Sequence, residues 1–533
     1  MAAARRMEAG AGDGGGSRLV NRPQIEIQSG EFTRTATLAE RAMIAAELPV
    51  YDRGGILVYP VEMDMKDEHD NTIKSVALQP ITVPLMRQFM ETAAEFVKYN
   101  PTLRTAVTVD PPEKTARLIL ARRGFWPFPR IVGVMTAQSI DREGNIIDTE
   151  GVHEPTRLLF HGLPHLPPMP PHPTRDDALA ALETLKELLV EFPFVDPEGR
   201  KGVSLSVALA ALISPLCRGA NPHDPLFIVH APVAGTGKSY LCKLVAAILT
   251  GRACPVVAYA VDEHEFEKRL NAVMLLGSPI ISLDNINGTF KSLLLCQALT
   301  EDTVQLRPLG TSTVVVSESR TFFMANGNNI GVAEDMTRRT LLAKLDLNEE
   351  RPELRQFQQR PFDKIIADRG RYIAACLTIV RAYILAGRPG KLPQLASYEA
   401  WSDNVRSALV WLGCADPCDS MNEIIENDAP RQLLRALQAA WPEARNIGCT
   451  CAGLIEASRG NEELKEILEG IAGVKDGISA KKLGYWLRDN ANGKVHVHQI
   501  EVDGVAVPVK LKILKGKVSG GIQRWILTDG QDG

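Results

Sequence analysis

The central part of this chain reads Ala231-Pro232-Val233-Ala234-Gly235-Thr236-Gly237-Lys238-Ser239. It follows an apolar run at residues 225–229 and precedes a helical pattern at residues 240–249. A strand, a loop of small residues, Lys-Ser and a helix, in this order, are typical of a phosphate-binding P-loop. The backbone N–H groups of such a loop point at phosphate, and the N-terminus of the following helix adds positive potential.

The residue types of this loop predict separate contacts to a nucleotide. Lys238 would reach the β- and γ-phosphates, and the hydroxyl of Ser239 would hold Mg²⁺. Pro232 takes the place of the usual first glycine and fixes φ there. The alternative is an ordinary glycine-rich turn between a strand and a helix. We expect ATP and Mg²⁺ as cofactors, with the nucleotide bound by Val233, Ala234, Gly235, Thr236, Gly237, Lys238, Ser239 and Tyr240.

Composition places the chain among cytoplasmic globular proteins. It has 533 residues, 45% of them hydrophobic, which is enough for two to four domains. No apolar run reaches the length of a membrane span, so we expect no membrane partner. The first 17 residues lack a signal-peptide pattern, and nine scattered cysteines suit reduced thiols. With a net charge of −4, binding to nucleic acid would depend on local basic patches.

Compositional breaks predict the domain organisation. Strands and helices alternate around the P-loop, which favours an α/β nucleotide-binding core. The proline run at residues 165–173 predicts a stiff extended linker. Residues 85–99 predict a helix within a mixed α+β segment. The predicted regions are a flexible tail (1–30), an N-terminal α+β accessory or collar domain (31–160), the linker (161–175), the P-loop core (176–350), a helical segment (351–440) and a C-terminal winged helix (441–533).

A second element predicts the magnesium site. Residues 278–285 form an apolar strand that ends in Asp284, as expected of a Walker B carboxylate that holds the Mg²⁺ water shell. The alternative is a buried strand that happens to end in Asp. Many such ATPases carry a second acid at the next position, but this chain has Asn285, which cannot take up a proton. The catalytic base stays open among Glu263, Glu265, Glu267 and Glu301.

A third element follows at residues 321–329. An apolar strand ends in Asn326, whose amide could orient water beside the γ-phosphate, the role known as sensor 1. The alternative is an Asn-Gly hairpin turn. Paired arginines come next, and Arg338 or Arg339 could stabilise charge on a nucleotide held by a neighbouring subunit. The alternative for both arginines is a solvated face.

Taken together, these motifs resemble the helicase module of phage- and plasmid-type primase-helicases. That module is an AAA-like superfamily 3 helicase, related to poxvirus-type primase-helicases. The resemblance rests on Gly-Lys-Ser, on Asp284-Asn285, on residues 325–329 and on Asp335 with Arg338-Arg339. It implies a ring, usually a hexamer, with ATP between subunits and single-stranded DNA in the central channel. The sequence contains no convincing pair of primase acids.

Two regions predict contacts to DNA. Residues 303–316 form two β-prone runs around Pro308-Leu309-Gly310, and a hairpin here projects into the channel in superfamily 3 relatives. Arg307 is the candidate phosphate contact, ahead of Arg320. Near the C-terminus a helix precedes two strands around a basic glycine-rich loop, a pattern typical of a winged helix. Its candidate DNA contacts are Lys481, Lys482, Lys515 and Lys517. The alternatives are a surface hairpin and a winged helix that contacts protein.

The resulting hypothesis is an ATP-driven DNA helicase or translocase for replication of a phage or mobile element, in a bacterial or phage-infected cytoplasm. Lys238, Asp284, Asn326, Arg338 and Arg339 would act in catalysis, and Ser239 and Asp284 would hold the metal. Its partners would be single-stranded or forked DNA, further copies of itself and other replication proteins. Two alternatives stay open. One is a non-translocating replication initiator that binds DNA through its winged helix, and the other is a regulatory or defence ATPase.

Overall fold

The computed structural model places the described residues in two compact units. The first unit holds the described residues up to Met421, except Gly331 and Val332. The second unit holds Gly331, Val332 and the described residues from Asn422 onward. Within the described residues, no helix is both long and apolar enough to cross a membrane. The structure describes residues 22–66, 72–196, 199–233, 235–252, 256–260, 262–307, 315–332, 334–347, 358–426, 429–475, 477–502, 505–518 and 522–529.

The first unit begins with a mixed α+β region. Its core packs the two aromatic side chains Phe89 and Phe96 against aliphatic residues of the surrounding helices. In one sheet, strand Glu95–Asn100 lies between Gln24–Glu26 and Thr105–Thr108. A second sheet is a meander of Tyr51–Arg53, Ile56–Lys66 and Thr72–Pro80. The strands are Gln24–Glu26, Tyr51–Arg53, Ile56–Lys66, Thr72–Pro80, Glu95–Asn100 and Thr105–Thr108, and the helices are Phe32–Ala45, Val83–Ala93 and Glu113–Ala121.

Two local predictions are wrong in this region. Residues 24–26, which the prediction placed in the tail, form strand Gln24–Glu26, because Ile25 fits the core and the strand pairs with Glu95–Asn100. The helix predicted over residues 85–99 ends at Ala93. Ala94 is extended, with ψ of 157°, and the side chains of Phe96 and Val97 are buried by sheet pairing. Aromatic and β-branched residues favour a strand where a sheet edge is present to receive them.

The proline-rich segment, which the sequence predicted to be a stiff extended linker, is a strap packed against the core. Gln138 Nε2 donates to the carbonyl of Pro164 at 2.6 Å. A Cβ added to Gly370 would lie 2.0 Å from the His165 carbonyl oxygen, so the strap contacts the following helical layer directly. Leu163, Leu166 and Met169 pack against the main core. The short strands that precede this strap are Gly133–Met135, Ser139–Ile140, Ile146–Ile147, Gly151–His153 and Leu158–Phe160.

A six-stranded sheet carries the predicted motifs. We name its strands the P-loop strand (Leu226–His230), the acid strand (Ile280–Phe290), the asparagine strand (Phe322–Val332) and the outer strand (Thr340–Leu345). The P-loop strand runs parallel to both the asparagine strand and the outer strand. Across the sheet the order is Phe194–Val195, outer, P-loop, asparagine, acid and Val256–Ala258. The asparagine strand therefore lies between the P-loop strand and the acid strand.

Helices cover this sheet and supply most of the apolar core. Helix Val203–Ile213 is buried along its whole length, as its nearly continuous apolar sequence predicts. The helices of the core are Arg175–Lys186, Val203–Ile213, Lys238–Thr250, Glu263–Leu275 and Leu293–Thr300, with 3₁₀ turns at Ser214–Cys217 and Glu334–Arg339. The helical layer that follows comprises Pro361–Ala367, Arg369–Leu385, Glu399–Trp401, the π-turn Ser402–Arg406, Ser407–Trp411 and Asp419–Glu426.

Two buried arginines tie the N-terminal region to the helices beside the P-loop. Arg53 donates to the carbonyls of Leu275 at 2.7 Å, Met274 at 3.0 Å and Val132 at 3.3 Å. Arg369 does the same at the end of helix Lys238–Thr250, donating to the carbonyls of Ile248, Leu249 and Thr136 at 2.9, 2.5 and 2.7 Å. Each guanidinium caps the last carbonyls of a helix and also holds the segment around strand Gly133–Met135.

Burial lowers the pKa of Arg53 to about 10 and that of Arg369 to about 9. Both side chains stay charged at neutral pH and donate to backbone carbonyls at the negative end of a helix dipole. Their removal would take a charged donor away from the carbonyls at two helix ends, although Met274 keeps a bond from the Gly277 N–H and Leu249 keeps one from the Thr136 hydroxyl.

We expect the change Arg53→Met to destabilise the first unit by about 2–4 kcal/mol, because it leaves three carbonyls without this donor. Arg117→Met is the matched control, since Arg117 forms an exposed pair with Glu113 and should cost less than about 1 kcal/mol. Denaturant unfolding of the full chain measures both. Equal midpoints for the two variants would contradict the capping role.

The second unit is built around its own core, which includes Leu437, Leu464 and Trp525. Helix Ala429–Ala439 packs in this core, so the predicted boundary at residue 440 lies too late. A four-stranded sheet orders Gly448–Thr450, Arg524–Asp529, Val505–Lys515 and Val495–Val502. The helices are Ala429–Ala439, Cys451–Ser458, Glu462–Ala472 and Ala480–Trp486 with the π-turn Leu487–Ala491, and Gly473–Val474 pairs with Gly477–Ile478. The winged helix stays a prediction.

A pair of histidines shares one amide in this unit. His496 Nδ1 lies 3.1 Å and His498 Nε2 lies 2.9 Å from Oε1 of Gln438, so each ring N–H can donate to that oxygen. Burial, followed by the charges of Arg431 and Arg435, lowers the pKa of His496 to about 4. Burial likewise lowers the pKa of His498. The folded unit therefore holds both rings neutral.

This arrangement predicts a loss of stability at acidic pH. Below the ordinary histidine pKa near 6.5, both histidines become protonated in the unfolded chain but stay neutral in the folded unit. The free energy of unfolding is therefore highest above about pH 6.5 and decreases as the pH falls toward 4. We expect a loss on the order of 2 kcal/mol, measured by hydrogen exchange of strand Val495–Val502 in the full chain. His496→Gln should flatten the pH dependence. A wild-type opening free energy that stays constant from pH 7.5 to pH 5 would show that the rings are not held neutral.

Candidate nucleotide and nucleic-acid sites

The loop after the P-loop strand has the backbone of a phosphate-binding turn. Gly235 and Gly237 have φ of +81° and +96°, in the left-handed region that favours glycine. Lys238 begins the following helix, and its Nζ donates to the Val233 carbonyl at 2.7 Å. Burial lowers the pKa of Lys238, and the charge of Asp284 acts in the opposite direction. Ala234 lies outside the described residues.

The P-loop helix and the asparagine strand meet at a hydroxyl and an amide. Ser239 Oγ donates to Asn326 Oδ1 at 3.3 Å, and Asn326 Nδ2 faces Cys242 Sγ at 4.0 Å. Asn326 is buried and pairs in register with Val229 of the P-loop strand. The structure therefore brings the predicted metal-binding hydroxyl and the predicted water-orienting amide into direct contact.

A glycine allows the asparagine strand to approach the acid strand closely. A Cβ added to Gly327 would lie 1.9 Å from the carbonyl oxygen of Ile286 and 2.8 Å from its nitrogen. No side chain fits at these distances, because backbone atoms cannot move aside as a flexible side chain can. Gly327 also pairs with His230, the last residue of the P-loop strand. Gly327 thus fixes the spacing on which the neighbouring site residues depend.

Asp284 lies at the edge of the site. Its charge acts on both Lys238 and Cys242, which places the carboxylate near the base of the P-loop helix. Its Oδ1 is buried and has no hydrogen-bond partner among the described residues. Asp284 is not among the described residues that line the cavity, so it suits contact with a metal through water better than direct contact with phosphate.

A cavity of about 500 Å³ opens between these elements. Sequence reasoning missed two of its polar lining residues, Asn287 and Asn328, and the Oδ1 of Asn328 is buried without a partner in the described chain. The period of two along each strand offers the signal, because residues 285 and 287, like 326 and 328, share a face. The described lining residues are Gly235, Gly237, Lys238, Ser239, Tyr240, Asn285, Ile286, Asn287, Asn326, Gly327 and Asn328.

These residues fit a nucleotide with magnesium. The loop offers backbone donors and one ammonium group, Ser239 offers a hydroxyl, and Asp284 and Asn328 offer unpaired oxygens. Tyr240 adds an aromatic wall: its ring stacks on Phe192 with centroids 6.2 Å apart, and its hydroxyl accepts from the Phe362 N–H at 3.2 Å. Oxygen ligands of this kind suit Mg²⁺, which keeps several waters when it binds phosphate.

A general base is missing from the described cavity wall. Asn285 lines the cavity in a left-handed conformation with φ of 60°, and it carries no ionisable group. Of the four glutamates that the sequence left open, Glu265 pairs with Lys268 and Arg269 instead. Glu263, Glu267 and Glu301 are also not among the described lining residues.

The paired arginines occupy different environments. Arg338 is exposed and pairs with Asp335 at 2.9 Å, on the 3₁₀ turn Glu334–Arg339. Arg339 is buried, donates to the Asp335 carbonyl at 2.9 Å and has an unpartnered Nε among the described atoms. The pKa of Asp335 is lowered, chiefly by its hydrogen bond from Arg338. Exposure leaves Arg338 available to another chain, whereas Arg339 is positioned to hold the turn together.

The predicted hairpin is present. Strand Thr303–Leu306 pairs antiparallel with Val315–Glu318, and the predicted tip, Pro308-Leu309-Gly310, lies outside the described residues. Arg307 is exposed where the first strand ends. The second strand is held by the N-terminal region: Arg157 forms two bonds to the Glu318 carboxylate, at 2.8 and 2.5 Å. Arg320 is half-buried and donates to the Arg218 carbonyl at 3.4 Å, which disfavours it as a phosphate contact.

In the second unit the four predicted DNA-contacting lysines are exposed. Lys481 and Arg488 both lie over the exposed Tyr485 ring, at 6.0 and 5.1 Å from its centroid. Ser479 caps this helix by accepting from the Lys482 N–H at 3.3 Å. Lys515 ends strand Val505–Lys515, and Lys517 follows in the loop. The structure does not assign a ligand to these cations, so their contact to DNA stays a prediction.

Comparison with known proteins returns structural matches. No protein-family model matches the chain, and no curated protein sequence matches it. The solved structures similar to it include the apo A form of the NrS-1 C-terminal region, with 11% identity, a TM-score of 0.35 and coverage of 92% of this chain and 99% of that one. They also include the SCCmec type IV Cch active helicase, with 10% identity, a TM-score of 0.31 and coverage of 90% and 97%.

A third match is the JCV helicase bound to a small molecule, with 11% identity, a TM-score of 0.20 and coverage of 50% and 72%. Two of these three titles name helicases, the class to which the motifs point. At these scores the matches carry no argument about function. The argument about function rests on the cavity and its residues.

The close approach at Gly327 gives a direct test of the site's construction. We expect Gly327→Ala to destabilise the first unit by about 3 kcal/mol or more, because its Cβ would overlap the Ile286 backbone. Gly133→Ala is the control, since a Cβ there would meet only the Gly277 carbonyl at 4.0 Å. Thermal unfolding compares the two. A Gly327→Ala chain as stable as the control would mean that the two strands are not held this closely.

Proposed function

We propose that this chain is an ATP-dependent DNA helicase or translocase that serves replication of a phage or mobile element. One observation carries the proposal: Lys238, Ser239 and Asn326 meet beside the end of the P-loop strand, and the unpaired Asp284 carboxylate lies on the acid strand, one strand further along the sheet. Phosphate, metal and an oriented water are the groups that such a set can hold. Bound Mg²⁺ would polarise the γ-phosphate, and this chain's residues would orient both.

The proposed residues divide the work. Lys238 and the backbone of Gly235 and Gly237 bind phosphate, Ser239 contacts the metal, and Asp284 holds the water around it. Asn326 receives the Ser239 hydroxyl and is placed to sense the γ-phosphate. Arg338 is the residue proposed to reach a nucleotide in a neighbouring subunit, because its side chain is 59% exposed while that of Arg339 is 10% exposed. A ring, usually a hexamer, would then complete each site.

In the proposed mechanism of translocation, the hairpin at residues 303–318 contacts the DNA. Arg307 lies at its exposed end, and phosphate contact there would be insensitive to sequence and sensitive to salt. The Arg157–Glu318 pair fixes the other strand of the hairpin to the N-terminal region. Nucleotide-dependent movement of the core would therefore displace the exposed end relative to an anchored base.

Unwinding of a forked duplex tests the proposal. Lys238→Ala should lower DNA-stimulated ATP hydrolysis at least 100-fold and abolish unwinding, because the site loses its ammonium. Lys465→Ala, which removes an exposed lysine paired with Glu462, should change neither. Arg307→Ala should retain hydrolysis but weaken DNA binding and reduce the slope of its salt dependence by about 1.

A different result would favour the initiator alternative. The initiator alternative depends on Lys481 and Arg488, the exposed cations beside Tyr485. Wild-type chain that binds duplex DNA with ATP yet never separates strands would overturn the helicase proposal in its favour. Hydrolysis that ignores DNA and responds to an added protein would favour the regulatory or defence ATPase instead.

A further inference from the structure

A second cavity of about 440 Å³ lies in the first unit and is not lined by any residue of the P-loop cavity. Its wall includes Arg142, His223, Arg388, Lys391, Glu399 and Asp403. It forms where four separate segments meet, and it is nearly as large as the first cavity. The proposed ATPase chemistry makes no use of these side chains.

The wall combines several features that are typical of binding sites. Arg388 and Ser397 both line it with positive φ, 55° and 72°, although neither is glycine. Such backbone costs on the order of 1 kcal/mol per residue and clusters at ligand sites. Asp403 belongs to the π-turn Ser402–Arg406, a rare element that is frequent at functional sites.

The polar groups of the wall are held in place by one another. Arg388 donates from Nε to Asn404 Oδ1 at 3.2 Å and from Nη2 to the Arg142 carbonyl at 2.8 Å. Asp403 Oδ2 receives Lys391 Nζ at 2.7 Å and Gln394 Nε2 at 2.8 Å. The other oxygen, Asp403 Oδ1, is buried and lacks a partner among the described atoms. A buried acceptor without a donor is costly unless something else supplies one.

Charge indicates which chemical group would enter. The Asp403 carboxylate is neutralised by Lys391, and Glu399 accepts from the Ser397 N–H at 3.0 Å. Two arginine residues, Arg142 and Arg388, line the cavity against the single remaining carboxylate of Glu399. No described residue hydrogen-bonds the Arg142 guanidinium. Guanidinium groups match phosphate and carboxylate oxygens in geometry as well as charge.

We propose that this cavity binds a phosphate-bearing small molecule of mononucleotide size. Its phosphate contacts Arg142 and Arg388, and one of its hydroxyl or amino groups donates to Asp403 Oδ1. A free inorganic phosphate shares the first contact but lacks the hydroxyl and amino groups of a nucleoside. Whether Asp403 contributes to binding therefore distinguishes a nucleotide-like ligand from inorganic phosphate.

The test uses full-length chain carrying Lys238→Ala, so that binding at the P-loop is removed. Isothermal titration with adenosine 5′-monophosphate, guanosine 5′-monophosphate and inorganic phosphate is expected to show one site per chain for at least one of them. Arg142→Ala, an exposed position whose loss should not affect folding, is expected to weaken that binding at least tenfold. Arg371→Ala is the matched control, because Arg371 is exposed and pairs with Glu187.

The change Asp403→Asn separates the two ligand sources. If it weakens nucleotide binding and leaves inorganic phosphate binding unchanged, a nucleotide-like ligand is supported. If only inorganic phosphate binds and Asp403→Asn has no effect, the cavity is a simple anion site and the proposed second contact is overturned. Absence of binding by all three probes, or binding that survives Arg142→Ala unchanged, would overturn the proposal as a whole.

Discussion

The backbone contact between Gly327 and Ile286 is the constraint on which the nucleotide site depends. The asparagine strand comes last of the three motif strands in sequence, yet it lies between the other two. That position brings an amide to the P-loop hydroxyl and leaves the acid one strand further away. A side chain at residue 327 would separate the asparagine and acid strands. The chemistry of the cavity thus follows from the absence of one Cβ atom.

The N-terminal region supports this arrangement from outside. Arg53 and Arg369 bind the last carbonyls of the two helices that flank the site, and both also hold the segment around strand Gly133–Met135. The Arg157–Glu318 pair extends the same support to the hairpin. Each of the two helix-capping arginines is buried without a carboxylate partner. Burying such a charge costs free energy, so each side chain is favourable only where its carbonyl acceptors lie. This region is therefore part of the nucleotide-binding unit and not a separate appendage.

Sequence reasoning succeeded where local chemistry decides the outcome. The P-loop, the strand that carries Asp284, the strand that carries Asn326 and the hairpin at residues 303–318 all have local signals, and the structure contains each element, although the two strands continue past their predicted ends to Phe290 and Val332. It failed where long-range packing decides. The strand at residues 95–100 and the packed proline strap depend on partners distant in sequence. Sequence reasoning made no prediction for Arg53 and Arg369, because no local pattern indicates that a side chain will meet a distant helix end. Ring assembly and DNA contact stay predictions, since they involve other molecules.

The left-handed backbone at Asn285 limits which side chains this position accepts by mutation. Asparagine, aspartate and glycine accept φ of 60° readily, whereas longer side chains pay a steric penalty there. A mutation that introduced an acid at this position would favour aspartate, which one base change in an asparagine codon supplies. Glutamate would first require the strand to relax. Descendants of this chain are thus biased toward a short carboxylate or toward none.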